Sequence, residues 1–165
     1  MSDSIDQAVI EFPLYVANKA IKSGQWLEVH DKFSGKIYAK VALADAKILE
    51  KAISAAVKAE KEMSALKPFQ KQKILLHCVQ RFKELREELT QILIIEGGKP
   101  KLAAAAEVER LINTFQLAAD AVSTINDGHL MPLAVTAAAS AYRGMVQHVP
   151  TGAVSLITPS NYHLN

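Results

Sequence analysis

Apolar residues recur at steps of three and four along the middle of the chain, and this periodicity predicts three amphipathic helices. The first is expected to begin after Asp45, because an aspartate carboxylate can accept hydrogen bonds from the first free N–H groups of a helix. The second is predicted to begin at Pro68 and to end at the glycine pair 97–98. The third is predicted over about residues 101–125.

Shorter segments rich in β-favouring residues flank these helices. Residues 9–16, 26–30 and 36–43 predict a small antiparallel element packed beside the helices. Residues 129–149 predict two β segments around an alanine-rich loop. The apolar run at residues 153–157 lies between two turn sequences and predicts a strand buried on both faces, as in a parallel sheet. The pattern as a whole therefore predicts an α/β fold.

Composition and charge exclude several classes of protein. The chain has 165 residues, is 50% hydrophobic and carries a net charge of +2, with lysines and glutamates interleaved. This composition argues against disorder and against a nucleic-acid partner. There is no signal-peptide pattern, and no apolar run is long enough to cross a bilayer. With Cys78 as the single cysteine, a cytoplasmic protein without an internal disulfide is expected.

Asn161 is the best candidate for chemistry. It follows Pro159 at the carboxyl end of the predicted buried strand, where ligands bind in open α/β sheets. Its side-chain amide can donate to a developing alkoxide, and one such donor contributes about 3 kcal/mol. The alternative is that Asn161 only caps a turn. Cys78 lies within an apolar helical stripe and is predicted to be structural. The histidines lack ligand spacing, so no metal site is predicted.

The closing stretch also resembles a known family. Residues 150–165 resemble the aldehyde dehydrogenase segment written P-x-G-x-V-x-x-I-x-P-aromatic-N-aromatic-P-x-N. Residues 33–36, Phe-Ser-Gly-Lys, and 96–100, Glu-Gly-Gly-Lys-Pro, resemble earlier junctions of the same family. Residues 107–120 resemble one branch of it. These segments follow the order of the family along nearly the whole chain.

The resemblance implies that residues 1–165 form the N-terminal part of an NAD(P)-dependent aldehyde dehydrogenase, including the first strand of a Rossmann-like sheet. In that reading Asn161 stabilises the oxyanion of a thiohemiacetal. The cleft for NAD or NADP would be lined by Ile157, Thr158, Pro159 and Ser160. Two positions depart from the family pattern, because Ser160 replaces an aromatic residue and His163 replaces a proline. Loss of the aromatic wall is expected to weaken packing at the site.

The resemblance further implies that the hairpin at about 129–149 crosses to a neighbouring subunit, giving a homo-oligomer or association with a full-length relative. The chain as given ends before the catalytic glutamate and cysteine of the family, so it is expected to have no dehydrogenase activity alone. Two alternatives remain open. One is a non-catalytic module that associates with a full-length aldehyde dehydrogenase. The other is a free-standing binding domain with an incidental likeness. Exposed apolar patches are expected in each case.

Overall fold

The computed structural model describes residues 9–125, 127–159 and 161–164, and within them the chain forms the predicted mixed α/β arrangement. A short 3-10 turn at Ala137–Ala139 is the only irregular helix in that part of the chain. The strands and helices are, in order, β1 (Ile10–Phe12), β2 (Leu14–Val16), β3 (Lys19–Ile21), β4 (Trp26–His30), β5 (Ile37–Ala42), α1 (Ala46–Ala65), α2 (Pro68–Glu84), α3 (Arg86–Gly97), α4 (Lys101–Ala121), β6 (His129–Pro132) and β7 (Arg143–Val146).

The N-terminal strands form a three-stranded sheet and a separate hairpin. Strands β4 and β5 pair antiparallel, as predicted. Strand β1 pairs with the other edge of β5 but runs parallel to it, with Ile10 opposite Ala39. The expectation of a purely antiparallel element was therefore wrong for β1. Parallel neighbours need a long connection, and the β2–β3 hairpin together with β4 provides it.

The helices agree with the predicted starts, but one predicted helix is divided. Asp45 caps α1 by accepting a hydrogen bond of 2.7 Å from the backbone N–H of Ile48. The predicted second helix is wrong as a single element, because Leu85, at φ −93° and ψ 11°, separates α2 from α3. The Leu85 N–H donates to the Arg81 carbonyl at the end of α2, and the Leu85 carbonyl accepts from the Leu89 N–H in α3. One residue with altered dihedral angles leaves the apolar spacing intact, so periodicity does not detect it.

The core lies between α2, α3 and α4. Val108 is fully buried, and the aromatic rings of Phe82 and Phe115 meet edge to face with centroids 4.9 Å apart. Around them the core is formed by Val79, Leu93, Ala104 and Ile112, with Leu89, Ile94 and Leu164 packed against it. Helix α1, in contrast, has no buried residue. Leu49, Ile53 and Met63 of its apolar stripe are exposed, which leaves an apolar patch of the kind that was expected.

The chain between α4 and residue 159 is largely exposed. Strands β6 and β7 pair antiparallel, with His129 opposite Val146, in the region where two β segments were predicted. The buried strand predicted at residues 153–157 is wrong for this structure, because that segment is irregular and Leu156 is 85% exposed. A strand needs a neighbour for its backbone hydrogen bonds, and no neighbouring strand is paired with this segment in the described residues.

Candidate functional site

The predicted cofactor segment lies in solvent. Ile157 is 95% exposed, and Thr158 and Pro159 are exposed as well. Ser160 lies outside the described residues. A dinucleotide needs a concave surface that buries most of its area, and a side chain as exposed as Ile157 contributes no enclosed wall. The described residues alone therefore do not fit NAD or NADP at this segment.

Asn161 lies instead at a cleft beside α4. Asn161 is exposed, and it borders a cleft with a volume of about 420 Å³. The other residues that line this cleft are Lys99, Ala103, Ala106, Glu107, Arg110 and Tyr162. The structure thus places Asn161 next to two cations and one carboxylate, in a cleft that Ile157, Thr158 and Pro159 do not line.

The cleft is built on the junction between α3 and α4. Gly98 has φ 62°, a left-handed conformation that favours glycine, and its N–H donates to the carbonyl of Ile94 to close α3. Pro100 precedes the first turn of α4. This glycine and proline place Lys99 at the mouth of the cleft, while Glu107 and Arg110 follow on α4, three residues apart and therefore on neighbouring parts of its surface.

Lys99 and Glu107 form a shielded ion pair that also holds the C-terminal segment. The Lys99 ammonium donates to Glu107 Oε2, and it donates to the backbone carbonyl of Asn161 at 2.7 Å. The other carboxylate oxygen, Glu107 Oε1, accepts from the backbone N–H of Leu164 at 3.0 Å. The Glu107 side chain is 2% exposed and that of Lys99 is 17% exposed. A pair so shielded from water is coupled more strongly than a surface pair.

The two acidic groups near the cleft have opposite pKa shifts. Burial raises the pKa of Glu107, but the hydrogen bonds from Lys99 and Leu164 and the charges of Lys99 and His163 outweigh burial and hold the pKa below its ordinary value. Burial also raises the pKa of Glu96, against the opposing charges of His163 and Lys32. Glu107 is therefore held as a carboxylate, whereas ionisation of Glu96 is disfavoured.

Aromatic and imidazole side chains complete the surroundings of Asn161. The Tyr162 ring centroid lies 5.0 Å from Lys99 Nζ and 5.0 Å from Arg110 Cζ, within the range of cation–π contacts. The exposed His163 ring lies over Gly97, where an added Cβ would come within 3.2 Å of His163 Cε1. Because Gly97 has no side chain, the His163 ring can pack against the end of α3.

Sequence reasoning missed the cleft residues other than Asn161. Lys99 was placed only within a helix end and turn, and Gly98 does fulfil that structural role. The sequence did contain one indication of this cleft, because the charged residue Glu107 shares the apolar face of α4 with Ala104 and Leu111. All three residues are buried. A charged residue on such a face needs a partner. Cys78 is half-buried on α2, as a structural cysteine would be.

Two other kinds of feature are absent from the part of the chain that the structure describes. Within the described residues, no group of three or more histidine, cysteine, aspartate or glutamate side chains is arranged to hold a metal ion. Likewise, no helix in that part of the chain has the length and apolar character to cross a membrane.

Comparison with known proteins gives consistent matches. The model of the aldehyde dehydrogenase family matches residues 19–165. Lactaldehyde dehydrogenase of Methanocaldococcus jannaschii is 32% identical over 147 residues, which cover 86% of this chain and 30% of that protein. The chain therefore spans about a third of the length of such relatives.

Solved structures agree with this match. Aldehyde dehydrogenase 21 from Physcomitrella patens, in complex with the reaction product succinate, is similar with a TM-score of 0.77 and 34% identity, over 84% of this chain and 29% of that chain. A 3,6-anhydro-L-galactose dehydrogenase in complex with NAP is similar with a TM-score of 0.68 and 25% identity, over 73% of this chain and 26% of that chain.

Proposed function

The chain belongs to the aldehyde dehydrogenase family, and from that premise we propose that it contributes to the NAD(P)-dependent oxidation of an aldehyde to a carboxylic acid. Its own contribution is Asn161, whose side-chain amide donates a hydrogen bond to the oxygen of the aldehyde as negative charge develops there. The observation that supports this role is the position of Asn161 at a cleft whose other lining side chains include Lys99 and Arg110.

The other parts of the reaction need residues beyond this site. NAD or NADP would accept the hydride, and the described residues do not by themselves form its binding site. Cys78 is not proposed as the nucleophile, because it lies half-buried on α2 beside the core residue Val79. Family membership argues against an incidental likeness of a free-standing binding domain. A cytoplasmic location is proposed from the single cysteine and the charged composition.

The experiment for Asn161 compares variants in the protein that carries this chain. Asn161→Ala is expected to lower kcat by about 10²–10³-fold, the usual loss for one oxyanion donor, with little change in KM. Asn113→Ala is the matched control, because Asn113 is exposed on α4 and outside the cleft. Aldehyde-dependent formation of NAD(P)H is the measurement. Equal kcat values for the two variants would refute the proposed role.

We also propose that the aldehyde carries an anionic group. Arg110 is exposed at the same cleft as Asn161, and its guanidinium packs on Tyr162. Arginine binds carboxylates through two parallel hydrogen bonds, and one similar protein holds succinate, a dicarboxylate, as its product. Arg110→Met is expected to raise KM about tenfold or more for a carboxylated aldehyde but not for a neutral one. Arg86→Met removes a cation from a surface pair with Glu109 and should leave KM unchanged for both the carboxylated and the neutral aldehyde.

A second proposed function is association through the β6–β7 hairpin. Leu130 and Met145 are opposite each other in this hairpin and are 68% and 72% exposed. Exposed apolar groups on a two-stranded ribbon favour a protein partner, either a second copy or a full-length aldehyde dehydrogenase. Replacing both by glutamate is expected to abolish such association in sedimentation and co-purification. Leu102→Glu, at a position 86% exposed on α4, is the control. Unchanged association of the double variant would contradict this function.

A further inference from the structure

The segment Asn161–Leu164 is attached at one end to the α3–α4 junction and at the other end to α4. At the first end, the Lys99 ammonium donates to the Asn161 carbonyl at 2.7 Å. At the second end, the Leu164 N–H donates to Glu107 Oε1 at 3.0 Å. The remaining oxygen of the Glu107 carboxylate pairs with the same Lys99 ammonium. One buried ion pair therefore holds both ends of the segment.

Both attachments are anchored in the rigid part of the molecule. Glu107 is 3% exposed and lies next to Val108, which is fully buried. The Leu164 side chain packs against the core formed by α2, α3 and α4. Interiors packed in this way move little on the scale of a hydrogen bond. The attachments therefore fix the position of the segment relative to α4.

We propose that Lys99 and Glu107 are positioning residues that fix the backbone of Asn161 and so direct its side-chain amide toward the cleft. The inference rests on the proposed oxyanion role of Asn161. Lys99 bonds the main-chain carbonyl of Asn161, so this contact restrains the backbone without occupying the side-chain amide. An oxyanion donor is effective only when it is held in place before the reaction, and the buried pair provides that restraint.

The structural test measures amide hydrogen exchange in the chain. Glu107→Gln and Lys99→Met are each expected to speed exchange at the Leu164 N–H about tenfold, because each breaks the ion pair that holds the Glu107 side chain and Glu107→Gln also replaces a charged acceptor by a weaker neutral one. The amide of Ile112, in the middle of α4, should change by less than about twofold if the fold is retained. Glu109→Gln is the matched control on the same helix, because Glu109 pairs with Arg86 away from this segment.

The kinetic test uses the protein that carries this chain. Glu107→Gln and Lys99→Met are expected to lower kcat about tenfold with KM nearly unchanged. The reason is that a misplaced Asn161 amide weakens stabilisation of the transition state more than it weakens substrate binding. Lys99→Arg keeps the charge and the donors and is expected to restore most of kcat. If both disruptive variants unfold, Leu164→Pro removes the N–H donor and the leucine side chain at that end while both charged residues of the pair are kept, and it should produce the same fall in kcat.

These outcomes separate the inference from the function on which it rests. If Asn161→Ala leaves turnover unchanged while exchange at Leu164 increases in Glu107→Gln, the oxyanion role fails and the attachment of the segment stands. If Asn161→Ala lowers kcat while Glu107→Gln and Lys99→Met leave both kcat and exchange at Leu164 unchanged, and Leu164→Pro leaves kcat unchanged, the positioning role is overturned.

Discussion

The helical block α2–α4 and the chain after it differ in how far their apolar residues are buried. In the block, Val108 and Ala104 are fully buried. After residue 127, Val154 is 67% exposed and Leu156 is 85% exposed, although both lie in a run as apolar as a buried strand. A helix forms its backbone hydrogen bonds internally, whereas a strand needs a neighbour. The contrast teaches that an apolar run becomes a buried element only where a packing partner is present.

The largest test of this contrast places the same charge in both regions. Val108→Asp buries a carboxylate without a partner and is expected to abolish the cooperative unfolding transition, since such a group costs several kcal/mol. Val154→Asp should change the free energy of unfolding by less than about 0.5 kcal/mol. Circular dichroism during urea denaturation is the measurement. A large effect of Val154→Asp would mean that the open region is packed in solution.

The next test compares a shielded acid with an exposed acid on α4. Glu107→Gln breaks the pair with Lys99 and is expected to lower the free energy of unfolding by about 3 kcal/mol, because it leaves a poorly compensated ammonium. Glu109→Gln breaks a surface pair with Arg86, whose side chain is 49% exposed, and should cost less than about 1 kcal/mol. Urea denaturation at neutral pH measures both. Similar costs would show that the Glu107 pair is open to water in solution.

Lowering the pH should reduce the free energy of unfolding of the α2–α4 block, because it protonates Glu107. Its pKa in the folded chain is lowered, mainly by Lys99 and Leu164 acting against burial. Its contribution is therefore present above the unfolded pKa of about 4.3 and is lost as the pH falls through the lower, folded value. Glu96, whose pKa burial raises, acts with the opposite sign. Wild type should lose more stability than Glu107→Gln between about pH 5 and pH 3 in urea denaturation. Equal losses would contradict the lowered pKa.

The smallest expected effect is confined to the open region. An added Cβ at Gly128 would lie 2.3 Å from the carbonyl oxygen of Val146, so Gly128→Ala must displace the start of the β6–β7 hairpin. We expect a local loss of about 1–2 kcal/mol, seen as faster amide exchange at the hairpin, with α4 unaffected. Gly24→Ala is the control, because nothing lies within 4 Å of its added Cβ. Slow exchange retained in the hairpin would argue against that close approach.

Much of the fold was predictable because its signals are local. The Asp45 cap, the Pro68 start and the Gly98 end each depend on neighbouring residues, and the structure confirms them. The interruption at Leu85 and the parallel pairing of β1 were missed. One depends on a single pair of dihedral angles, and the other joins segments that are distant in sequence. Neither leaves a mark on apolar periodicity.

The candidate site was predictable only in part. Asn161 was identified from its family segment, and its chemical role stays a prediction. Lys99, which donates to its backbone carbonyl, lies in the α3–α4 junction, 62 residues before it. Sequence alone does not bring such positions together. The buried strand at residues 153–157 was predicted from an apolar run between two turn sequences, but burial requires a second surface that such a local run does not supply.

The parallel pairing of β1 with β5 has a consequence for the order of folding. Strands β4 and β5 are joined by a short turn, in which the Asp31 N–H bonds to the Lys36 carbonyl. Closing that turn costs little chain entropy, so this hairpin is expected to form early. Ile10 must instead find Ala39 across the whole β2–β4 region. Strand β1 should therefore join the sheet late, and its amides should report the slowest step in refolding of the N-terminal region.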